Sequence, residues 1–243
     1  ANVGLLRDPR SEVSVGFVES GLASRRDAPD LASLGAVGLA PLWMFFRDSS
    51  RTLAEQLRGK RVSIDAEGSG TRLLVRRLLQ VNQVDESSLT LLALPPEQGA
   101  DALIRGQVDV AMMLTSWRAP AVQRLLATTG IGLQGFPRAD AYVARYPVLT
   151  KVVLPMGVAD FARNVPPADL PLLAVESNLV IRRKLHPALK YLFLEAAAEI
   201  HGGADVFHRA GHYPAPGAID LPLSSEAQTF YRSGRPFDYR YLP

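Results

Sequence analysis

The sequence contains no cysteine, which excludes disulfides, thiolate metal sites and a cysteine nucleophile. It leaves the compartment open, because exported and cytosolic proteins alike can lack it. No run of about 18 apolar residues occurs, so no segment reads as a membrane-spanning helix. Aromatic residues make up only 7% of the chain, and Lys plus Arg exceed Asp plus Glu by only 27 to 24. The positive charge is scattered in short runs such as Arg25-Arg26, Arg76-Arg77 and Arg182-Arg183-Lys184. A nucleic-acid reader concentrates such charge on one face and interleaves aromatics for stacking, so no nucleic-acid partner is expected. There is no Walker loop, no G-x-S-x-G elbow and no Ser-His-Asp order. Histidines are few. His208 and His212 stand four apart, but Gly211 and Pro214 argue against a helix there, and no carboxylate joins them at ligand spacing. His186 precedes a proline, and His201 ends a helical pattern, where a cation suits the dipole. The expectation is therefore no catalytic residue, no metal and no cofactor: a binding protein and not an enzyme.

What is present is ordinary globular material, 47% hydrophobic and 21% charged, in a chain long enough for one large domain or two small lobes. Val13 to Glu19 is an apolar run of strand length. Leu34 to Arg47 is a second extended stretch, expected to be interrupted at Pro41. Asp48-Ser49-Ser50 then opens a helix through Leu53, Ala54 and Leu57 that Gly59 stops. Beyond it strands and helices alternate. Strands are expected at 61–66, 89–94, 108–114 and 131–136, with helices at 71–82, 97–105 and 120–128 between them. Helices of that length between strands imply parallel β-α-β units. After Tyr142 the pattern is mixed, with strands at 151–155 and 172–181 and a helix from Ala188 to His201 introduced by Pro187. From Gly211 onward the composition predicts an extended tail.

One internal echo stands out. Leu5-Leu6 leads into Val13 to Ser20 (VSVGFVES), and Leu103-Ile104 leads into Val108 to Ser116 (VDVAMMLTS). Each is an amphipathic helix, a turn of small residues, a V-x-V strand and a polar strand end. Two similar lobes would produce this pattern; chance likeness of two strands would also.

The sharpest candidate for a site is Glu67-Gly68-Ser69-Gly70-Thr71, followed by Arg72, between a strand and a helix. Glycine permits φ > 0 and close approach of the backbone, and the free N–H groups of a helix start attract anions. The Ser69 and Thr71 hydroxyls can donate to the same oxygens, and Arg72 adds charge if it points inward. Equally, Ser69 or Thr71 can serve only as an N-cap. Thr115-Ser116-Trp117 lies at the carboxyl end of an expected parallel strand, where open α/β sheets bind ligands; Trp117 fits a packing role as well. The same reasoning picks out Glu19-Ser20-Gly21 and Trp43, although the apolar run around Trp43 favours the core.

These segments, in this order, resemble the TAXI family, the extracytoplasmic solute receptors of TRAP transporters. The resemblance is carried by Asn2 to Gly21 (NVGLLRDPRSEVSVGFVESG), Leu31 to Arg47 (LASLGAVGLAPLWMFFR), Gly59 to Leu74 (GKRVSIDAEGSGTRLL) and Ala102 to Met112 (ALIRGQVDVAM). It continues through Asn178 to Glu195 (NLVIRRKLHPALKYLFLE) and His201-Gly202-Gly203. It implies an α/β, type II periplasmic-binding-protein fold, with two lobes joined by hinge strands: lobe I from residues 1–48 and 173–243, lobe II from 49–172. It also implies a small anionic solute, a carboxylate or an amino acid, held between the lobes at the three strand ends named above. The implied partner is a TRAP-type membrane transporter and the implied location periplasmic or extracytoplasmic, with anchoring to the inner membrane in a subset of the family.

Two departures qualify the transfer. Ser116-Trp117-Arg118 stands where family members often carry small residues and prolines. Family members also begin with a strand and a Gly-rich aromatic loop, and this chain is expected to start after both, leaving the first lobe incomplete. Tyr231 to Pro243 looks like the stretch that precedes a hydrophobic anchor in the membrane-bound subset, so a C-terminal anchor outside this chain is an expectation, although its three arginines run against the usual charge bias. The competing reading is a ligand-sensing effector domain of a transcription regulator or signalling protein with the same fold.

Overall fold

The computed structural model describes residues 2–47 and 57–234. The chain divides into two compact units, Ala1–Leu39 with Val175–Pro243, and Ala40–Ala174. Both divisions fall inside strands; of the boundaries expected from sequence, 48/49 lies outside the described residues and 172/173 also falls inside a strand, Leu170–Arg182.

The first crossing lies in β2 (Leu31–Phe46), which follows helix α1 (Asn2–Arg7) and strand β1 (Val15–Glu19). Pro41 does not interrupt β2. Proline only lacks a donor; its carbonyl accepts a bond from the Thr115 N–H at 3.3 Å, so the ladder continues past it. All but two of the sixteen residues of β2 are buried, which fits a sequence that is apolar except for Ser33.

The unit spanning 40–174 continues with β3 (Arg61–Ser63), helix α2 (Gly70–Val81), β4 (Thr90–Leu92), α3 (Pro96–Ile104), β5 (Val110–Leu114), α4 (Pro120–Ala127), the short β6 (Gly132–Leu133), α5 (Ala139–Arg145) and β7 (Thr150–Leu154). β4 pairs parallel with β3, and β3 parallel with β5, as strands separated by helices must. β5 and β6 each pair antiparallel with β2, so β6 shares the direction of β5. The expected helix at 50–57 lies largely outside the described residues. α5 was absent from the sequence expectation: Arg138, at its N-cap, offers no capping side chain, and only Ala139 in its seven residues is buried. The core includes Trp43, Phe45, Ile64, Val75, Leu103, Val110, Met113 and Leu125, and full burial of such an aliphatic side chain stabilises the fold by about 1.5–3 kcal/mol.

The second crossing is β8 (Leu170–Arg182), which pairs antiparallel with β7 in one unit and with β1 in the other. Helix α6 (Pro187–His201) follows, with Pro187 in its first turn and the His186 Nδ1 accepting from the Ala188 N–H at 3.2 Å. Residues after Gly211 are not wholly an extended tail, because α7 (Ser225–Ser233) forms there. Ser224 caps it by accepting from the Ala227 N–H at 3.1 Å, and Ala227 is fully buried in a cluster with Leu34, Ile181 and Leu194. The echo has a structural counterpart. In one unit the strand after α1 pairs antiparallel with the incoming end of β8; in the other the strand after α3 pairs antiparallel with the incoming end of β2.

Candidate functional site

In the unit spanning 40–174, parallel pairing of β3 with β5 puts the loops after both strands at one sheet edge. The chain leaves β3 through Asp65, whose φ of +66° is a left-handed conformation that Asp tolerates better than most residues, and turns again at Gly68 with φ +74°. Ser69 is the N-cap of α2: its Oγ accepts from the Arg72 N–H at 3.1 Å. Thr71 is buried, and its hydroxyl serves the protein itself, accepting from the Leu114 N–H at 3.0 Å and facing the Asp65 carboxylate at 3.4 Å. That pair of contacts ties the turn to the end of β5. The Thr71 hydroxyl, expected as a ligand donor, is therefore occupied by the fold, whereas Ser69 Oγ only accepts and keeps its own O–H as a donor.

What remains open is backbone. Among the described residues, the N–H groups of Gly68, Gly70 and Thr71 have no protein acceptor, as expected for the first turn of a helix. Arg72 lies beside them with a side chain only 15% exposed, bound to Glu67 at 3.3 Å and to the Asp65 carbonyl at 3.4 Å. Its Nε is buried without an acceptor among the described residues. Glu67 itself is largely exposed. The Asp65 carboxylate also accepts from the Ala66 N–H at 2.7 Å. Asp65 was not among the residues expected from sequence; with Glu67 it is one of two carboxylates between β3 and the glycine turn. The arrangement offers helix-start donors, which favour an anionic oxygen, and a largely buried Arg72 whose charge is shared with Glu67.

At the end of β5 the Thr115 carbonyl accepts from Trp43 Nε1 at 2.9 Å, and the Trp43 and Trp117 rings lie 5.9 Å apart. Trp43 is fully buried, so it supports Trp117 and has no surface of its own to offer. Ser116 is exposed and Trp117 half-buried. The structure thus brings together Glu67 to Thr71, Thr115 to Trp117 and Trp43.

Glu19, Ser20 and Gly21 belong to the other unit and form a turn there, with Gly21 at φ +90° and the Leu22 N–H bonded to the Glu19 carbonyl at 3.2 Å. Ser20 is 6% exposed, and its Oγ accepts from Asn178 Nδ2 at 3.0 Å. In the same unit Asp205, which the sequence spacing had passed over, pairs with His208 at 3.3 Å. Burial, and then the neighbouring His208, hold the His201 pKa below the usual histidine value. Among the described residues no three His, Asp or Glu side chains are placed to hold a metal ion, and no helix is long and apolar enough to cross a membrane.

Two α/β units linked by two strands that pass from one into the other make up the type II periplasmic-binding-protein fold. Solved structures with a similar fold include a protein of Bordetella bronchiseptica (14% identity, 99% of this chain and 78% of that one, TM-score 0.52). The periplasmic aliphatic sulphonate binding protein of Escherichia coli is another (15% identity, 82% and 59%, TM-score 0.48). A third is a protein of Archaeoglobus fulgidus (15% identity, 77% and 56%, TM-score 0.45). The chain spans 51% to 59% of the length of the first solved structures it matches. Residues 23–225 match the NMT1-like family, and the chain belongs to that family.

Proposed function

We propose that this chain is a solute-capturing receptor that acts outside the cytoplasm and delivers to a membrane transporter, of the TRAP type by its TAXI resemblance. Its two units are the receptor's lobes, and its role is binding without chemistry. The solute is a small anion, a carboxylate or an amino acid. One observation carries the reading: the turn from Gly68 to Thr71 presents three unclaimed N–H donors beside the Arg72 guanidinium. Such donors favour a charged oxygen, and each charge-assisted bond is stronger than a neutral one. The Trp117 ring, backed by Trp43, supplies an apolar wall for the solute's carbon skeleton.

A thermal-shift screen across organic acids and amino acids tests it. A solute present at about a hundred times its Kd should stabilise the protein by about 2.7 kcal/mol. Arg72→Gln should reduce that stabilisation while leaving the unliganded melting point within a few degrees. No stabilisation by any anion, or full stabilisation of the Arg72→Gln variant, would overturn it.

A further inference from the structure

A cavity of about 460 Å³ within the 40–174 unit has its polar end at the C-terminus of α2, the end away from the Gly68 turn. Its floor is Met44 and Phe136, both buried, and its walls are Pro137 and Tyr142, with Arg138 at its polar end. The polar end is built. Asn82, the C-cap of α2, uses its Oδ1 to accept from Arg138 Nη2 at 2.7 Å and from the Tyr142 hydroxyl at 2.8 Å. The Asn82 Nδ2 donates to the Leu78 carbonyl at 2.8 Å, which fixes the orientation of the amide. One side chain therefore holds both groups in place before any ligand arrives, the condition for binding without a large ordering cost. No carboxylate pairs with Arg138 among the described residues, and a guanidinium has five N–H donors. Its remaining donors are free for an anion.

We infer that this cavity is a second small-molecule site, which takes an anion with an apolar body, such as a medium-chain or aryl carboxylate. The volume falls in the range of about 300–1,000 Å³ usual for ligand pockets, and the combination of an apolar lining with one fixed charged group is typical of them. Its polar end is separate from the Gly68 turn, because the twelve residues of α2 put roughly 18 Å of helix between that turn and Asn82.

The test is a titration of the chain, labelled with ¹³C in its methionine methyl groups, with decanoate. Met44 lines the cavity, whereas Met156 is exposed elsewhere in the same unit and serves as the control. The Met44 methyl resonance should shift and saturate while that of Met156 stays still. Arg138→Gln should weaken decanoate at least about tenfold, the loss expected for a charge-assisted contact. Arg138→Lys should recover part of it, and 1-decanol, which lacks the charge, should bind both forms alike. An unmoved Met44, a joint unsaturable drift of Met44 and Met156, or an Arg138→Gln variant that binds decanoate as tightly as the unchanged chain would each overturn the inference. So would a decanoate response that Arg72→Gln abolishes, since that would assign it to the Gly68 turn.

Discussion

Replacing Thr71 by valine removes one oxygen from the 40–174 unit and little volume. Thr71 is 2% exposed, and its Oγ1 is the acceptor for the Leu114 N–H at 3.0 Å. Leu114 is itself buried, so water cannot easily replace that acceptor. An unsatisfied buried N–H costs about 1–3 kcal/mol. Thr71→Ser keeps the oxygen and loses one methyl, a loss of about 1 kcal/mol or less. The expected order of stability is therefore wild type, then Thr71→Ser, then Thr71→Val. Urea unfolding followed by tryptophan fluorescence reads this unit specifically, because the chain has only two tryptophans, Trp43 and Trp117, and both lie in it. With a slope of about 2 kcal/mol per molar urea, the valine midpoint should fall by roughly 0.5–1.5 M. A valine variant within about 0.5 kcal/mol of the wild type, or a serine variant as damaged as the valine one, would refute the claim that this hydroxyl pins the turn to β5.

In the other unit, Gly35 sits in β2 at φ +120°, and an added Cβ would meet the Tyr231 hydroxyl and the Ala215 carbonyl. Gly35→Ala combines backbone strain with overpacking and should cost more than about 2 kcal/mol, read as a fall in melting temperature. The Tyr231 hydroxyl donates to the Leu34 carbonyl at 2.7 Å, and burial pushes its pKa up to about 12; an ultraviolet titration should find a tyrosine that stays protonated well above pH 10. Lys190 and Glu226 pair at 3.2 Å between α6 and α7 with side chains 9% and 13% exposed. Lys190→Met should destabilise by about 3–5 kcal/mol by stranding the carboxylate, and Lys190→Met with Glu226→Leu should recover most of it. Burial alone would raise the Glu226 pKa, but a bond from its own backbone N–H and the Lys190 ammonium outweigh burial and hold it below the usual glutamate range. A depressed carboxylate contributes stability that is complete above its unfolded value near 4.3 and is lost as the pH falls through the folded one, so denaturation midpoints should decline below about pH 4. A pair-deleted variant should decline less.

The fold was legible where periodicity and punctuation agreed. Pro187 and Gly202 bracketed α6, Ser69 and Thr71 were the two cap candidates for α2, of which Ser69 is the cap, and the alternation from Arg61 to Leu114 gave parallel strands because connections of helical length leave few other options. Pro41 misled because an extended chain with an unused donor position accommodates proline without breaking. α7 was hidden by the surrounding prolines and tyrosines, although Ser224-Ser225-Glu226 carried a cap signal; what makes it a helix is tertiary, the burial of Ala227 against Leu194 and Leu34. The Gly68 turn was visible as a motif, but the assignment of its hydroxyls to internal bonds was not. Spacing cannot show that Thr71 faces a Leu114 N–H forty-three residues away. The Arg138–Asn82–Tyr142 cluster gave no sequence signal either, because Asn82 and Tyr142 are sixty residues apart and meet only in the folded chain.

The most direct test of the anion-site reading is a ¹⁵N amide titration with small carboxylates, following the resonances of Gly68, Gly70 and Thr71. These three amides should shift downfield together, saturate with one dissociation constant, and lose the response in Arg72→Gln. Binding that leaves all three unmoved while other amides shift would contradict it.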